Sequence, residues 1–349
     1  MKRLWISAME ESAIRDGFHN LRPGSDYDNL YHSALCRQEA DWLVGINGTR
    51  LFTVLYGGKA LKVGRVQTPT LAMIAHREQQ IRSFKPEDYY GLRCTTSVTG
   101  GSVGTMASIV TWTWQQKKSG SLRSFNKDLI TGLDKKLKNQ TLTVTDVHTS
   151  SKRTPSPGLY DLTELQRDAN KRFGFSAKET LNIMQSLYEH HKVLTYPRTD
   201  SRYIGTDIVP TIKERLKACN IGPYKKYIPE LLKKPLKTSK AFVDDKKVSD
   251  HHAIIPTEEY VQMEHMSNNE RKIYDLVVRR FISVLYPAFE YEQTTLKAEA
   301  AGETFTAKGK VIKAAGWKAV YADAASSGSS ASQYDAYGDY EDSEDFGED

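Results

Sequence analysis

The period of apolar positions changes several times along the chain, and each change predicts an element. Over 27–55, Leu30, Ala34, Leu35, Ala40, Leu43 and Val44 recur at helical spacing, which predicts a helix with a buried stripe. Arg37, Asp41, Asn47, Thr49 and Arg50 are threaded through it, as a solvated face or as contacts to something else. Tyr56-Gly57-Gly58 breaks the pattern. A second helix follows, with Leu71, Ile74, Ala75 and Ile81 on one side, Thr68 as its expected N-cap and Pro69 as its first residue. Between 86 and 154 the period drops to two, in stretches at 90–95, 108–114 and 141–145, with a polar helix over 126–138. These predict antiparallel strands, and the alternation at 291–321 is expected to rejoin them.

From 155 to 285 the pattern is helical again, after a linker expected at 152–158. Thr163-Glu164-Leu165-Gln166 and Ser176-Ala177-Lys178-Glu179 have capping-box spacing. Two short helices and then an extended segment give the outline of a helix-turn-helix with a wing. Another helix is expected from Thr206 to about Cys219, and an amphipathic one from Asn268 to Tyr286. The chain begins with a short apolar stretch at 2–6, a helix at 9–18 and a turn at 22–26. Its tail from Ala322, rich in Ser, Gly and acids, is expected to be disordered.

Composition narrows the class. No apolar run reaches the roughly 18 residues of a membrane span, and the N-terminus has no signal-peptide core. Cys36, Cys94 and Cys219 are isolated, which argues against a disulfide framework or zinc site and fits the cytoplasm. The 49 basic and 43 acidic residues give a net charge of +6, but eight of the acids lie between Asp335 and Asp349. Without those eight the balance is 49 against 35, or +14, a body suited to polyanions, with nucleic acid the first candidate.

Three stretches suggest chemistry. In Thr195-Tyr196-Pro197-Arg198, Pro197 pushes Tyr196 into an extended conformation, and period-two geometry then sends Tyr196 and Arg198 to one face. A phenol beside a guanidinium suits a nucleophile attacking a phosphodiester; a Tyr-Pro turn with a solvated Arg fits the same spacing. In Asp250-His251-His252-Ala253, adjacent histidines on an extended chain cannot both face one ligand, so a single His oriented towards an anion competes with a structural His in a turn. Lys62-Val63-Gly64-Arg65-Val66-Gln67 precedes a helix N-terminus, where backbone N–H groups, the helix dipole and Arg65 form either a phosphate cradle or a plain cap.

The order of these motifs is specific. Ala40-Asp41-Trp42-Leu43-Val44-Gly45, Val63-Gly64-Arg65-Val66-Gln67-Thr68-Pro69, Leu194-Thr195-Tyr196-Pro197-Arg198-Thr199-Asp200-Ser201 and Asp250-His251-His252-Ala253-Ile254-Ile255-Pro256-Thr257 resemble, in sequence, the motif series of type IA DNA topoisomerases, in the form of the bacterial topoisomerase III branch. The resemblance covers about residues 1–321. It implies a multidomain α+β fold: a toroidal core with a β arch, a helical winged-helix-like gate domain and part of a helical DNA-binding base. The expected boundaries are 1–29 for the end of a Toprim domain, 30–85 for the base, 86–154 with 286–321 for the arch, 155–285 for the gate and 322–349 for the acidic tail.

The resemblance also implies roles. Tyr196 is the expected nucleophile, Arg198 the phosphate clamp and His251 the assisting histidine. Lys62, Val63, Gly64, Arg65, Val66 and Gln67 are expected to contact single-stranded DNA, with Asp41, Thr49 and Arg50 lining the same groove. The family's Mg²⁺ ligands belong to a Toprim domain. The chain is therefore expected to be incomplete at both ends, as a fragment, a split gene product or a decayed copy. Its expected partners are single-stranded DNA and a separate chain supplying the Toprim domain, in the cytoplasm at the nucleoid and without a membrane. A non-catalytic single-stranded DNA-binding module or scaffold is the alternative. A tyrosine recombinase fits poorly, because its tyrosine would follow the histidine series.

Overall fold

In the computed structural model, which describes residues 1–6, 11–98, 108–236, 238–248 and 250–327, the chain divides into two units. The first comprises 1–90 with 124–127, and the second 91–123 with 128–349. Part of the helix expected at 9–18, and the tail from 328, lie outside the described residues.

The first unit opens with β1 (Lys2–Arg3), α1 (Glu11–His19) and β2 (Arg22–Pro23), β1 and β2 pairing antiparallel. Two helices follow, α2 (Asp28–Tyr56) and α3 (Gln67–Ser83). The helical period over 27–55 predicts α2 correctly but not its packing. No residue of α2 is buried, and Leu43 and Val44 of the expected buried stripe are 53% and 52% exposed. The helix forms without a core on that stripe, and what touches it inside the unit is the loop that follows it. α3 starts two residues earlier than expected, with Val66 and not Thr68 at its N-cap. Pro69 fits because first-turn N–H groups have no helical acceptor.

The second unit contains β3 (Arg93–Val98), β4 (Ser108–Gln115), α4 (Lys127–Leu137, its first residue in the other unit), β5 (Thr143–Thr154), α5 (Leu162–Phe173), α6 (Ala177–Glu189), α7 (Ile212–Ala218), α8 (Ile228–Leu232), α9 (Asn268–Ser283), β6 (Phe289–Ala300) and β7 (Glu303–Ala314). The five strands form an open antiparallel sheet in the order β3-β4-β7-β6-β5, so 289–314 is inserted between β4 and β5. A tight turn at Ala301-Gly302 joins β6 to β7, with φ of 49° and 83°, a left-handed pair that glycine accepts without strain. β5 runs through Thr154, so the linker begins only at Pro155.

The main core lies among the helices. Leu165, Met184, Leu187, Leu216, Ile273, Val277 and Phe281 are fully buried with Leu194, Ile204 and Ile254 of the intervening loops. α5 is capped by Asp161, whose carboxylate accepts from Glu164 N–H, and not by Thr163. Ser176 caps α6, and a reciprocal capping box, Ser267–Glu270, starts α9. After β7 the chain continues as a 3-10 helix, Gly316–Ser327, so the chain from Ala322 to Ser327 is helical where disorder was expected. Trp317, Val320 and Tyr321 belong to the helical core and not to the sheet. Beneath α5 a charged network is sealed in: Arg280 donates to Asp168, to the Tyr160 hydroxyl and to the Gly158 carbonyl.

Candidate functional site

The two stretches that stand out in the sequence, around Tyr196 and around His251, lie side by side. Leu194 bridges Pro256, and Tyr160 bridges Ile254, both antiparallel. Thr195 N–H donates to the Ile255 carbonyl and Thr257 N–H to the Val193 carbonyl, each at 3.0 Å. Threonine side chains complete the zip. The Thr195 hydroxyl accepts from Ile255 N–H at 3.0 Å, and the Thr199 hydroxyl donates to the His251 carbonyl at 3.0 Å. From the far side, Arg215 on α7 is 1% exposed, donates to the Pro256 carbonyl at 2.8 Å and pairs with Glu258 at 2.8 Å. Buried backbone polar groups need such partners, so the register of the two stretches is fixed by the core around them.

The pairing brings the Tyr196 ring to 4.3 Å from the His251 ring, inclined at 34°. The Tyr188 ring of α6 stands edge-on to Tyr196 at 5.6 Å. Tyr196 and His251 are both half-buried, and neither the phenol hydroxyl nor the imidazole is hydrogen-bonded to a described residue. His252 is instead within 2.7 Å of the Ala253 carbonyl through Nδ1. Pro197 is buried and Arg198 exposed. Arg198 makes no hydrogen bond or ion pair among the described residues, so its guanidinium is uncommitted among them. Tyr188 is the residue here that the sequence reading passed over. Its signal was its place four residues after the buried Met184, on the apolar side of α6.

α6 ends close to this site and is pinned there. Glu270 accepts from the Ser186 hydroxyl at 2.6 Å and from Ser267 N–H at 2.7 Å, with His191 at 3.4 Å. Burial alone would raise its pKa, but these donors and His191 hold it at about 2.

The other candidates lie in the first unit. Asp41, Gly45, Thr49 and Thr53 recur every four residues and share one face of α2, and the segment 61–65 runs along that face. Val63 N–H donates to the Thr49 hydroxyl at 2.9 Å, and Leu61 N–H to the Thr53 hydroxyl at 3.2 Å. Gly48 makes room: a Cβ there would meet the Val63 side chain at 3.0 Å. Arg65 donates from Nε to Asp41 at 2.7 Å, and this hydrogen bond holds the Asp41 carboxyl below its ordinary value. Gly64 N–H donates to the Thr68 hydroxyl at 3.0 Å, tying the loop to α3. Lys62, Val66 and Gln67 are exposed, and Arg50 is exposed with no hydrogen bond or ion pair among the described residues. Asp41 and Thr49 thus shape the loop, Val63 and Gly64 fit it to the helix, and the cations stay accessible.

No group of three or more His, Cys, Asp or Glu side chains among the described residues could hold a metal ion. No helix among them is long and apolar enough to cross a membrane.

Comparison with known proteins shows the family. A family model described as DNA topoisomerase matches residues 25–340. DNA topoisomerase 3 of Bacillus cereus is 58% identical over 321 residues, covering 92% of this chain and 42% of that protein. DNA topoisomerase 3 of Bacillus subtilis is 54% identical over the same length. The chain thus spans under half the length of these relatives. Among solved structures, full-length topoisomerase I from Thermotoga maritima aligns with a TM-score of 0.61 at 23% identity, covering 91% of this chain and 50% of that one. That likeness speaks for the fold.

Proposed function

Since this chain belongs to the DNA topoisomerase family, as a type IA protein of the topoisomerase III branch, we propose that it carries the tyrosine half of a centre that breaks and rejoins single-stranded DNA. The observation that carries this reading is Tyr196, its hydroxyl not hydrogen-bonded to any described residue, with its ring against that of His251 on a scaffold that fixes both. The Tyr196 oxygen attacks a backbone phosphorus and forms a tyrosyl ester with the 5′ phosphate. The P–O3′ bond breaks, and the 3′ oxygen takes up the proton that the phenol gives. One ester replaces another, so the reverse step reseals the strand after another strand has passed. Arg198 clamps the non-bridging oxygens, where a planar fork is worth most as charge develops. His251 lies beside the phenol and assists at the phosphate.

In this reading Lys62 to Gln67 hold the strand, with Arg65 central and Asp41, Thr49 and Arg50 along the same groove. Residues 30–85 serve as base, 155–285 as gate, and 86–154 with 286–321 as arch. A tyrosine hydroxyl needs help to lose its proton near neutral pH. The proposal therefore includes a Toprim domain with its Mg²⁺, contributed by a separate chain, acting at the nucleoid in the cytoplasm. A non-catalytic single-strand-binding module is the second reading, favoured by a basic loop that is shaped within its own unit without Tyr196.

Incubation with labelled single-stranded oligonucleotide and Mg²⁺ tests this. The chain alone is expected to bind weakly and cleave poorly or not at all. Adding a Toprim-bearing protein is expected to produce a covalent adduct that Tyr196→Phe abolishes. Robust cleavage by the chain alone would overturn the need for a partner. An adduct that survives Tyr196→Phe would overturn the role of Tyr196.

A further inference from the structure

The two faces of the five-stranded sheet are built differently. One face is packed over part of its width: Trp112, Trp114, Ala298, Phe305 and Ala307 are buried there, and α4, with Ile130 and Leu133 buried, is tied to it by the Lys136–Glu303 ion pair, while Val147 and Val311 of the same face are exposed. Charges on that face and its margin are matched, Arg153 with Glu290 and Lys313 with Glu292. The opposite face follows from the register. Lys152 stands opposite Tyr291, Gln293 opposite Lys310, Thr295 opposite Lys308, and Lys297 opposite Thr306, with Thr306 opposite Thr113 and Thr113 opposite Arg93.

That face carries five cations, all exposed: Arg93, Lys152, Lys297, Lys308 and Lys310. Arg93, Lys152, Lys297 and Lys310 make no ion pair among the described residues. Its two carboxylates are Asp146 and Glu299, and Glu299 is already paired with Lys117. Between the cations lie hydroxyls and amides, Thr95, Thr111, Thr113, Ser150, Gln293 and Thr295. The half-exposed Tyr291 ring packs on one side against the helical core, 5.3 Å from the buried Phe289 ring, and has the Lys310 ammonium 4.2 Å from its centroid. Like charges on neighbouring strands destabilise a sheet, so a face that concentrates them while its reverse pairs them is suited to an external polyanion. Lys308 and Lys310, two residues apart on one strand, are about 7 Å apart along it, a step close to that between successive phosphates of an extended strand.

We infer that this open face is a second binding surface for single-stranded nucleic acid. The cations take phosphates and Tyr291 offers a base a stacking platform. This surface works independently of Tyr196 and of the Lys62–Gln67 loop.

The test is fluorescence anisotropy of a labelled single-stranded oligonucleotide with the full chain across a salt series. Two double reversals change net charge equally on the same strands: Lys152→Glu with Lys310→Glu on the open face, and Arg153→Glu with Lys313→Glu on the other. The open-face pair is expected to weaken binding about tenfold and to flatten the salt slope by about 1.4, two phosphates' worth. The opposite pair should change binding far less. Lys152→Gln with Lys310→Gln, a milder change, should keep the fold and follow the same order, and Tyr291→Leu should weaken single-strand binding alone. Equal losses from both reversals would mean net charge only and overturn the inference, as would no loss from either. Equal loss for duplex and single strand would overturn the assigned occupant. An Arg65→Glu loss with the open-face variants unchanged would overturn this surface while leaving the proposed function standing.

Discussion

Tyr196 and His251 are held by a packed interior, whereas Arg65 and its loop are held by a row of small and hydroxyl side chains on an exposed helix. Around Tyr196, the zip of 193–199 with 251–257 is anchored by Arg215 and surrounded by fully buried Leu194, Ile254 and Ile255. Around Arg65, α2 has no buried residue, and the loop is shaped by the few hydrogen bonds it donates to Thr49, Thr53 and Asp41. The first arrangement fixes the proposed reacting groups by global stability. The second fixes a binding loop locally, so its geometry can change without unfolding anything.

The sharpest way to break this comparison is to strike each region's support. Asp168→Ala leaves the Arg280 guanidinium buried without its carboxylate, and should cost about 3–5 kcal/mol in denaturant unfolding. Asp41→Ala should leave that unfolding midpoint in place while lowering oligonucleotide affinity a few-fold, because its partner Arg65 is half-exposed.

Acid sharpens it further. Glu270 has its pKa lowered from 4.5 to about 2, so its contribution is fully present above about 4.5 and is lost as pH falls towards 2. Glu270→Gln should lower the melting temperature at neutral pH and flatten the stability profile across that window, as measured by melts from pH 2 to 6. Gly48→Val should do the reverse of a core mutation. It displaces Val63 and weakens binding several-fold, with a melting temperature close to the parent's. The smallest effect is chemical: Cys36 on α2 is exposed and should react with a thiol reagent at once. Cys219 is buried, its pKa pushed up to about 12 by that burial, and should react only on unfolding.

How much was legible follows from the same contrast. Capping and periodicity announced α2, α6 and α9, and the order of four short motifs announced the family. Burial on α2 was misread, because an apolar stripe in sequence says what a helix can pack and not what packs it. The pairing of 193–199 with 251–257 was invisible, since non-local bridges between short extended segments leave no period. The spacing of Asp41, Gly45, Thr49 and Thr53 was present in the sequence, and only the loop lying across it gives that spacing meaning. The open sheet face needed register: Lys152, Lys297, Lys308 and Lys310 share a side only once β5, β6 and β7 are aligned.

The central claim is that Tyr196 takes a 5′ phosphate. A single-stranded oligonucleotide labelled at its 3′ end, incubated with this chain, Mg²⁺ and a Toprim-bearing protein and then denatured, tests it directly. The account predicts that the 3′ label travels with the protein, that a 5′ label does not, and that proteolysis locates the adduct on the peptide containing Tyr196. A 5′ label retained on the protein, or an adduct on any other residue, would contradict it.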